Sequence, residues 1–405
     1  MVGGGDRWHG GRWAAVAEEM VAEPLLPSDP DAVGRYRLDA RLGFGGAGRV
    51  YLARTADGEP VALRVINRKL LASDAVRRRL ADEIRALYRV TGPRAARLDN
   101  ADLHGDPPWL AAEYVPGRTL GEHVLRAGPL DATATATLGV MLVDALGELH
   151  EAGLLHRDLK PRNVILGPDG PKTIDAGLAV LTEPFGPAYR APEQVAGEND
   201  TIAADVYALG ATLVYAASGH ILYPDRAASA LLAAIVDPYT PPNLSGVPEE
   251  LVRALASMIV PDPEARPDLA ELRARLVRLA GGAGALGGLA RALVRRAYPG
   301  PDGDWDDSPE SGEDLPYPDL AYPDPDGDEG TAGEIPGDGD ADGEGGEGVE
   351  TADDETADDE GVAAADGEGA DGDDGDDPAP GDPETTQPIG PPVDPPGRVG
   401  SRATR

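Results

Sequence analysis

Two short stretches of this 405-residue chain hold residue types that can do chemistry. The first is Gly43-Phe44-Gly45-Gly46-Ala47-Gly48-Arg49-Val50, a G-x-G-x-x-G-x-V spacing. Glycine has no Cβ, so such a loop lets backbone N–H groups approach a phosphate. A plain glycine-rich hairpin turn reads the same way, and the stretch alone does not choose between them. The second is His156-Arg157-Asp158-Leu159-Lys160-Pro161-Arg162-Asn163, which sets an acid, an amine and an amide close together. Another acid follows in Asp175-Ala176-Gly177. By contrast, His9, His104, His123, His150 and His220 lack metal-ligand spacing. The acid pairs Asp353-Asp354 and Asp358-Asp359 lack the glycine and terminal glutamate of a calcium loop.

The elements around these stretches change character along the chain. Tyr36, Leu38, Ala40 and Leu42 alternate as one face of a strand. Val50–Ala53, Val61–Ile66 after an Asp57-Gly58 turn, and Pro108–Val115 read as further strands. Residues 74–90 carry Leu80, Ile84 and Leu87 at helical spacing, and 131–152, 202–218, 248–260 and 267–280 read as helices. A small β-rich part before a larger α-rich part predicts an α+β fold with a cleft between two lobes.

The second stretch resembles the catalytic loop of Ser/Thr protein kinases, with Lys two residues after Asp, and the rest of that family's landmarks follow in order. Ala191-Pro192-Glu193 resembles the end of the activation segment, Asp205-Val206-Tyr207 the buried anchoring helix, and Arg266 the partner of Glu193. The runs Pro108-Trp109-Leu110-Ala111 and Tyr114-Val115-Pro116-Gly117 are similar to kinases of high-GC actinobacteria. The resemblance covers residues 34–280 and implies a bilobal protein-kinase fold. It implies ATP and Mg²⁺ as cofactors and a protein hydroxyl as acceptor, with the protein substrate unidentified. It assigns Asp158 to orienting the hydroxyl, Lys160 to neutralising the transferred phosphoryl, and Asn163 and Asp175 to the metal. Gly43, Gly45 and Gly48 would meet phosphates, and Val50, Ala62 and Ile165 would sandwich adenine. Glu113 and Val115 fall at the hinge, Ala112 guards the rear of the pocket, and Glu83 sits in the regulatory helix.

The chain departs from the family at several places. Arg64 stands where the family has the strand lysine that contacts phosphates and pairs with the helix glutamate, here Glu83. A planar fork does not replace a compact ammonium in a tight site, and neither Lys69 nor Lys172 is placed to substitute. Ala176 replaces a phenylalanine expected to pack near His156 and Leu87. In the segment Asp175–Glu193, Gly186 replaces a threonine, and Thr182 is the one hydroxyl outside the Pro187-Ala188-Tyr189 wall, with the loop expected not to be switched by phosphate. Two readings follow: a Ser/Thr protein kinase with reduced activity, or a nucleotide-binding pseudokinase acting as a scaffold.

Charge is uneven. Of 72 acidic and 36 basic residues, 35 acids and 3 arginines fall in 300–405, a balance of −32, which leaves −4 for residues 1–299. A polyanion does not neutralise a nucleic-acid backbone. Such a tail, with its Tyr-Pro-Asp and Glu-Thr-Ala-Asp-Asp repeats, is expected to be disordered. Thr351, Thr356 and Thr385-Thr386 lie in acidic contexts that a phosphothreonine-binding partner could read. Residues 1–33 read as a flexible leader, with Met20 an alternative start, and 281–299 as a terminal helix fraying into a linker. No cysteine and no obvious membrane span or signal pattern fit a cytoplasmic location.

Overall fold

Residues 36–66 form three strands because apolar residues alternate there between glycine-rich and Asp-Gly turns. The computed structural model describes residues 22–297 apart from 182–186, 199 and 225. In it β1 (Ala32–Val33), β2 (Tyr36–Gly45), β3 (Gly48–Arg54), β4 (Pro60–Ile66), β5 (Leu98–Asp102) and β6 (Trp109–Glu113) build one antiparallel sheet, ordered β1-β2-β3-β4-β6-β5. Tyr51, Val61, Leu63 and Ala111 pack on its outer face, where Tyr36 meets Trp109 edge-to-face at 5.2 Å. On the inner face, Ile66 and Leu110 pack against Leu80 and Ile84 of α1 (Asp74–Leu87).

The alternation expected of Tyr36–Leu42 fails partway. Tyr36 and Leu38 are buried, but Ala40 and Leu42 are only partly so. The β2–β3 register slips between Leu38 and Ala40 and again between Arg41 and Gly43. A bulge inserts a residue and re-aims the side chains that follow.

The larger lobe contains α2 (Leu120–Ala127), α3 (Ala132–Glu151), α4 (Pro192–Val195), α5 (Ile202–Ser218), α6 (Ala228–Val236), α7 (Glu249–Met258), α8 (Leu269–Leu279) and α9 (Ala283–Ala297). Side chains of Thr119, Asp131, Thr201 and Asp268 cap α2, α3, α5 and α8. Helices α3 and α5 are apolar nearly all round and occupy the centre of the core. By length and composition α3 could cross a membrane, but it is a core helix, two-thirds buried inside the protein. Strands β7 (Arg118–Thr119), β8 (Val164–Gly167) and β9 (Gly170–Thr173) form a small sheet below the cleft.

Both flanks differ from expectation. Within the segment read as a leader, Glu23 pairs with Arg41, β1 pairs with β2, and Asp29 is buried against the sheet. Pro27 and Pro30 mark turns in this segment, but the Asp29–Arg41 ion pair and the buried Val33 come together only in the fold. After α8 the chain turns by 79° at Gly281-Gly282, where positive φ values of 84° and 94° favour glycine. It then continues as α9, so the expected terminal helix is present, and its Leu293 joins the core in place of fraying. Residues 1–21 and 298–405, including the expected acidic tail and its threonines, lie outside the described residues, as do Thr182 and Gly186.

Candidate active site

The hairpin of β2 and β3 roofs a cavity of about 300 Å³. Gly43, Gly45, Val50, Ala62 and Arg64 line it from above, and Glu113, Tyr114 and Val115 line the connection between lobes. Asp158, Lys160, Asn163, Ile165 and Asp175 line the floor. Gly48 does not line it but makes the turn: at φ 133° a Cβ would meet the Val65 carbonyl oxygen at 1.9 Å. The rear wall is built from small or aliphatic side chains, among them Ala96, Leu98, Ala112 and Ala176. Ala176 lines this cavity beside Leu87, where the family's larger side chain was expected.

The floor is held by one buried carboxylate. Asp205, at the start of α5, accepts the backbone amides of His156 at 2.9 Å and Arg157 at 2.8 Å, and contacts His150 Nε2 at 2.8 Å. It thereby secures Arg157 at φ 63°, a conformation that L residues seldom adopt unless their surroundings impose it. Asp158 is braced by its neighbours. Lys160 Nζ lies 3.0 Å from one carboxylate oxygen, and Asn163 Nδ2 donates to the other at 3.1 Å and to the Asp158 carbonyl at 2.7 Å. Lys160 is nearly buried, so its charge acts at the floor with little screening. His156 is fully buried with both ring nitrogens unpartnered, and burial holds its pKa below the ordinary imidazole value.

The ion pairs do not follow the expected wiring. Arg64 pairs with Asp175 in place of Glu83. Glu83 pairs with Arg157, whose Nε also stands 3.1 Å from Asp200. The longer guanidinium carries Arg64 past α1 to the floor. Behind Asp175, the short helix Leu178–Leu181 sets Leu178 and Leu181 among Leu80, Ile84 and Ala47. Asp175 itself adopts φ 62°. With Glu83 and Asp200 both on Arg157, that cation is already matched by two carboxylates.

Below the site, Arg266 makes a fork to Glu193 at 2.5 and 2.8 Å and lies over Tyr207 at 5.1 Å. Both charged side chains are almost wholly buried. This pair was expected. Asp200, Arg162 and the capping pair Thr119 and Glu122 were not, although the last three line the cavity. No spacing signal marks Asp200, which meets Arg157 only through the fold.

The roofed cavity, the Asp-Lys-Asn floor and the buried Glu193–Arg266 fork define the protein-kinase class. Residues 36–275 match the protein kinase domain family, and the chain belongs to it. A probable serine/threonine-protein kinase, PkwA of Thermomonospora curvata, is 40% identical over 266 residues, covering 63% of this chain and 36% of that protein. The serine/threonine-protein kinase AfsK of Streptomyces coelicolor is 37% identical over 267 residues, covering 63% and 33%. The chain thus spans about a third of the length of these curated relatives. The crystal structure of the M. tuberculosis PknI kinase domain superposes with a TM-score of 0.54 at 25% identity, covering 63% of this chain and all of that one.

Proposed function

We propose that this chain is a Ser/Thr protein kinase that moves the γ-phosphoryl group of ATP to a protein hydroxyl. The observation that carries the reading is the convergence of Asp158, Lys160, Asn163 and Asp175 on the floor of a cavity roofed by the glycine loop. A carboxylate and an amide oxygen are hard donors that suit Mg²⁺, so Asp175 and Asn163 would hold it. Bound there, the metal would neutralise charge on the phosphates. Asp158 would accept the hydrogen bond of the attacking hydroxyl, and Lys160 would offset charge on the transferred group. Gly43 and Gly45 would admit the phosphates with Gly48 making the turn behind them, and Val50, Ala62 and Ile165 would enclose the base against Glu113 and Val115. The protein substrate is a hydroxyl acceptor of unassigned sequence. Threonines of the acidic tail, with a phosphothreonine-binding partner, belong to the same reading, as does a cytoplasmic location.

One observation favours slow transfer and, at its limit, a nucleotide-binding scaffold. Arg64 occupies Asp175, the carboxylate that the metal would need, and leaves Glu83 to Arg157. The deciding assay uses labelled ATP, Mg²⁺ and a generic acceptor protein, with wild type beside Asp158→Asn. Transfer by wild type that disappears in Asp158→Asn supports the kinase. Nucleotide binding without transfer in either protein supports the scaffold.

A further inference from the structure

Asp29 lies outside everything the nucleotide reading uses, yet it is among the best-satisfied charges in the protein. Its side chain is 0% exposed. Arg41 donates to it twice, through Nε at 2.7 Å and Nη2 at 2.9 Å. The Tyr51 hydroxyl donates at 2.8 Å and the Leu26 amide at 2.7 Å. Arg49 Nη1 stands 3.6 Å away. The Arg41 hydrogen bond, above all, holds the Asp29 carboxyl well below the usual carboxylate range.

The placement of these partners matters more than their number. Arg41 lies on β2, the arm leading into the glycine loop, and Tyr51 and Arg49 lie on β3, the arm leading out. Arg41 and Tyr51 are directly paired across the hairpin, and Arg49 faces Phe44. Val50 lines the cavity, so its neighbours Arg49 and Tyr51 point to the opposite face of the sheet. One buried carboxylate therefore ties both arms together from behind. The tie sits at a weak point, because the β2–β3 register slips between Arg41 and Gly43, where the loop begins. The bulge interrupts the ladder between Arg41 and Gly43 before pairing resumes at Gly43 and Val50. The backbone of the same segment supports the tie: Glu23 and Arg41 exchange two hydrogen bonds of 2.8 Å.

We propose that Asp29 is a positioning residue for the phosphate loop: by fastening Arg41 to Tyr51 and Arg49, it fixes the height of Gly43–Gly48 above the nucleotide phosphates. The proposal rests on the nucleotide reading of the cavity. It makes the segment before β2 a part of the ATP site without any contact with ATP. Its signature is selectivity among ligands. The tie acts on the phosphate loop and on Val50 beside it but not on the connection between lobes, so its loss weakens a phosphate-bearing ligand more than a nucleoside.

The test is calorimetric titration of the full chain with ADP plus Mg²⁺ and, separately, with adenosine. Wild type, Asp29→Asn and Tyr51→Phe are compared. Asp29→Asn is expected to weaken ADP about tenfold and Tyr51→Phe about threefold, with adenosine weakened less than ADP in both, since each removes charge-assisted hydrogen bonding behind the loop. Equal losses for ADP and adenosine overturn the proposal and make Asp29 a general support of the lobe. No loss for either ligand also overturns it. Tyr51→Phe keeps the ring in the core and decides alone if Asp29→Asn does not fold. Wild type that binds neither ligand refutes the nucleotide reading itself, and the proposal with it.

Discussion

Replacing Arg64 by lysine isolates the one ion pair that stands between the site and its proposed metal. Arg64 and Asp175 side chains are 11% and 29% exposed, so solvent weakens their pairing less than it weakens a surface bridge. A hydrogen bond between two charged groups of this kind contributes about 1.5–3 kcal/mol. That energy opposes any cation that must share Asp175. Lysine keeps the positive charge in the roof but is shorter and lacks the planar fork, so its hold on Asp175 is weaker. Releasing the pair corresponds to about 10–100-fold in kcat/KM if metal capture limits transfer. The assay is transfer from labelled ATP with Mg²⁺ titrated over a wide range, wild type and Arg64→Lys side by side, and thermal unfolding as a check on the fold. The expected result is a gain of about tenfold or more at limiting Mg²⁺, with half-saturation at lower metal. An equally stable Arg64→Lys protein with unchanged or slower transfer would refute the reasoning. Arg64 would then be a productive phosphate ligand, or another step would set the rate.

Two further outcomes test the support beneath the site. Arg266→Met leaves Glu193 buried without its fork, and breaking such a pair from one side costs about 3–5 kcal/mol; urea unfolding should show a loss of that order, and a loss below about 1 kcal/mol contradicts it. Burial depresses the pKa of His156, so the folded state resists a proton that the unfolded imidazole accepts near its ordinary value of 6.5. The stability that His156 contributes is therefore complete above pH 6.5 and is lost as pH falls below it towards the depressed value. The unfolding equilibrium shifts by up to about tenfold per pH unit in that window. Urea titrations from pH 5 to 7.5 should show this slope in wild type and its absence in His156→Leu.

The site was legible where its chemistry is local in the chain. Asp158, Lys160 and Asn163 share one loop, and Asp175 follows β9 by two residues, so sequence spacing nearly equals spatial spacing. The glycine loop was legible for the same reason: Gly48 meets the Val65 backbone within one sheet. Choice of partner was not legible. Residue type shows that Arg64, Glu83 and Arg157 carry charge, but which pairs close depends on the depth of α1 over the floor. Asp29 shows the same limit. Its neighbours Pro27 and Pro30 signal turns, and nothing in the local pattern says that a turn aspartate will be buried against Arg41 and Tyr51. Whether the chain frays or docks after α8 rests on Leu293 finding the core, which the sequence there does not show.

The choice between kinase and scaffold reduces to a small set of charges. Arg64 and Arg157 are two cations that share Glu83 and Asp175, with Asp200 as a further carboxylate on Arg157. The four groups can pair in two ways. The structure has Arg64 with Asp175 and Arg157 with Glu83, whereas the expected arrangement joins residue 64 to Glu83 and frees Asp175. Either way two pairs form, so Coulomb energy alone separates the two poorly. Packing would separate them: Leu178 and Leu181 sit under α1 among Leu80 and Ile84, so an exchange that moved α1 would disturb that contact. Exposing two leucines costs about 3–6 kcal/mol, a cost that a ligand must offset by binding the exchanged state more tightly by that amount. A metal held by Asp175 would be a ligand of that kind, because Arg64 now pairs with that carboxylate. On the proposed function, Arg64 would make the metal a competitor for Asp175, and the half-saturation for Mg²⁺ would read the strength of that competition.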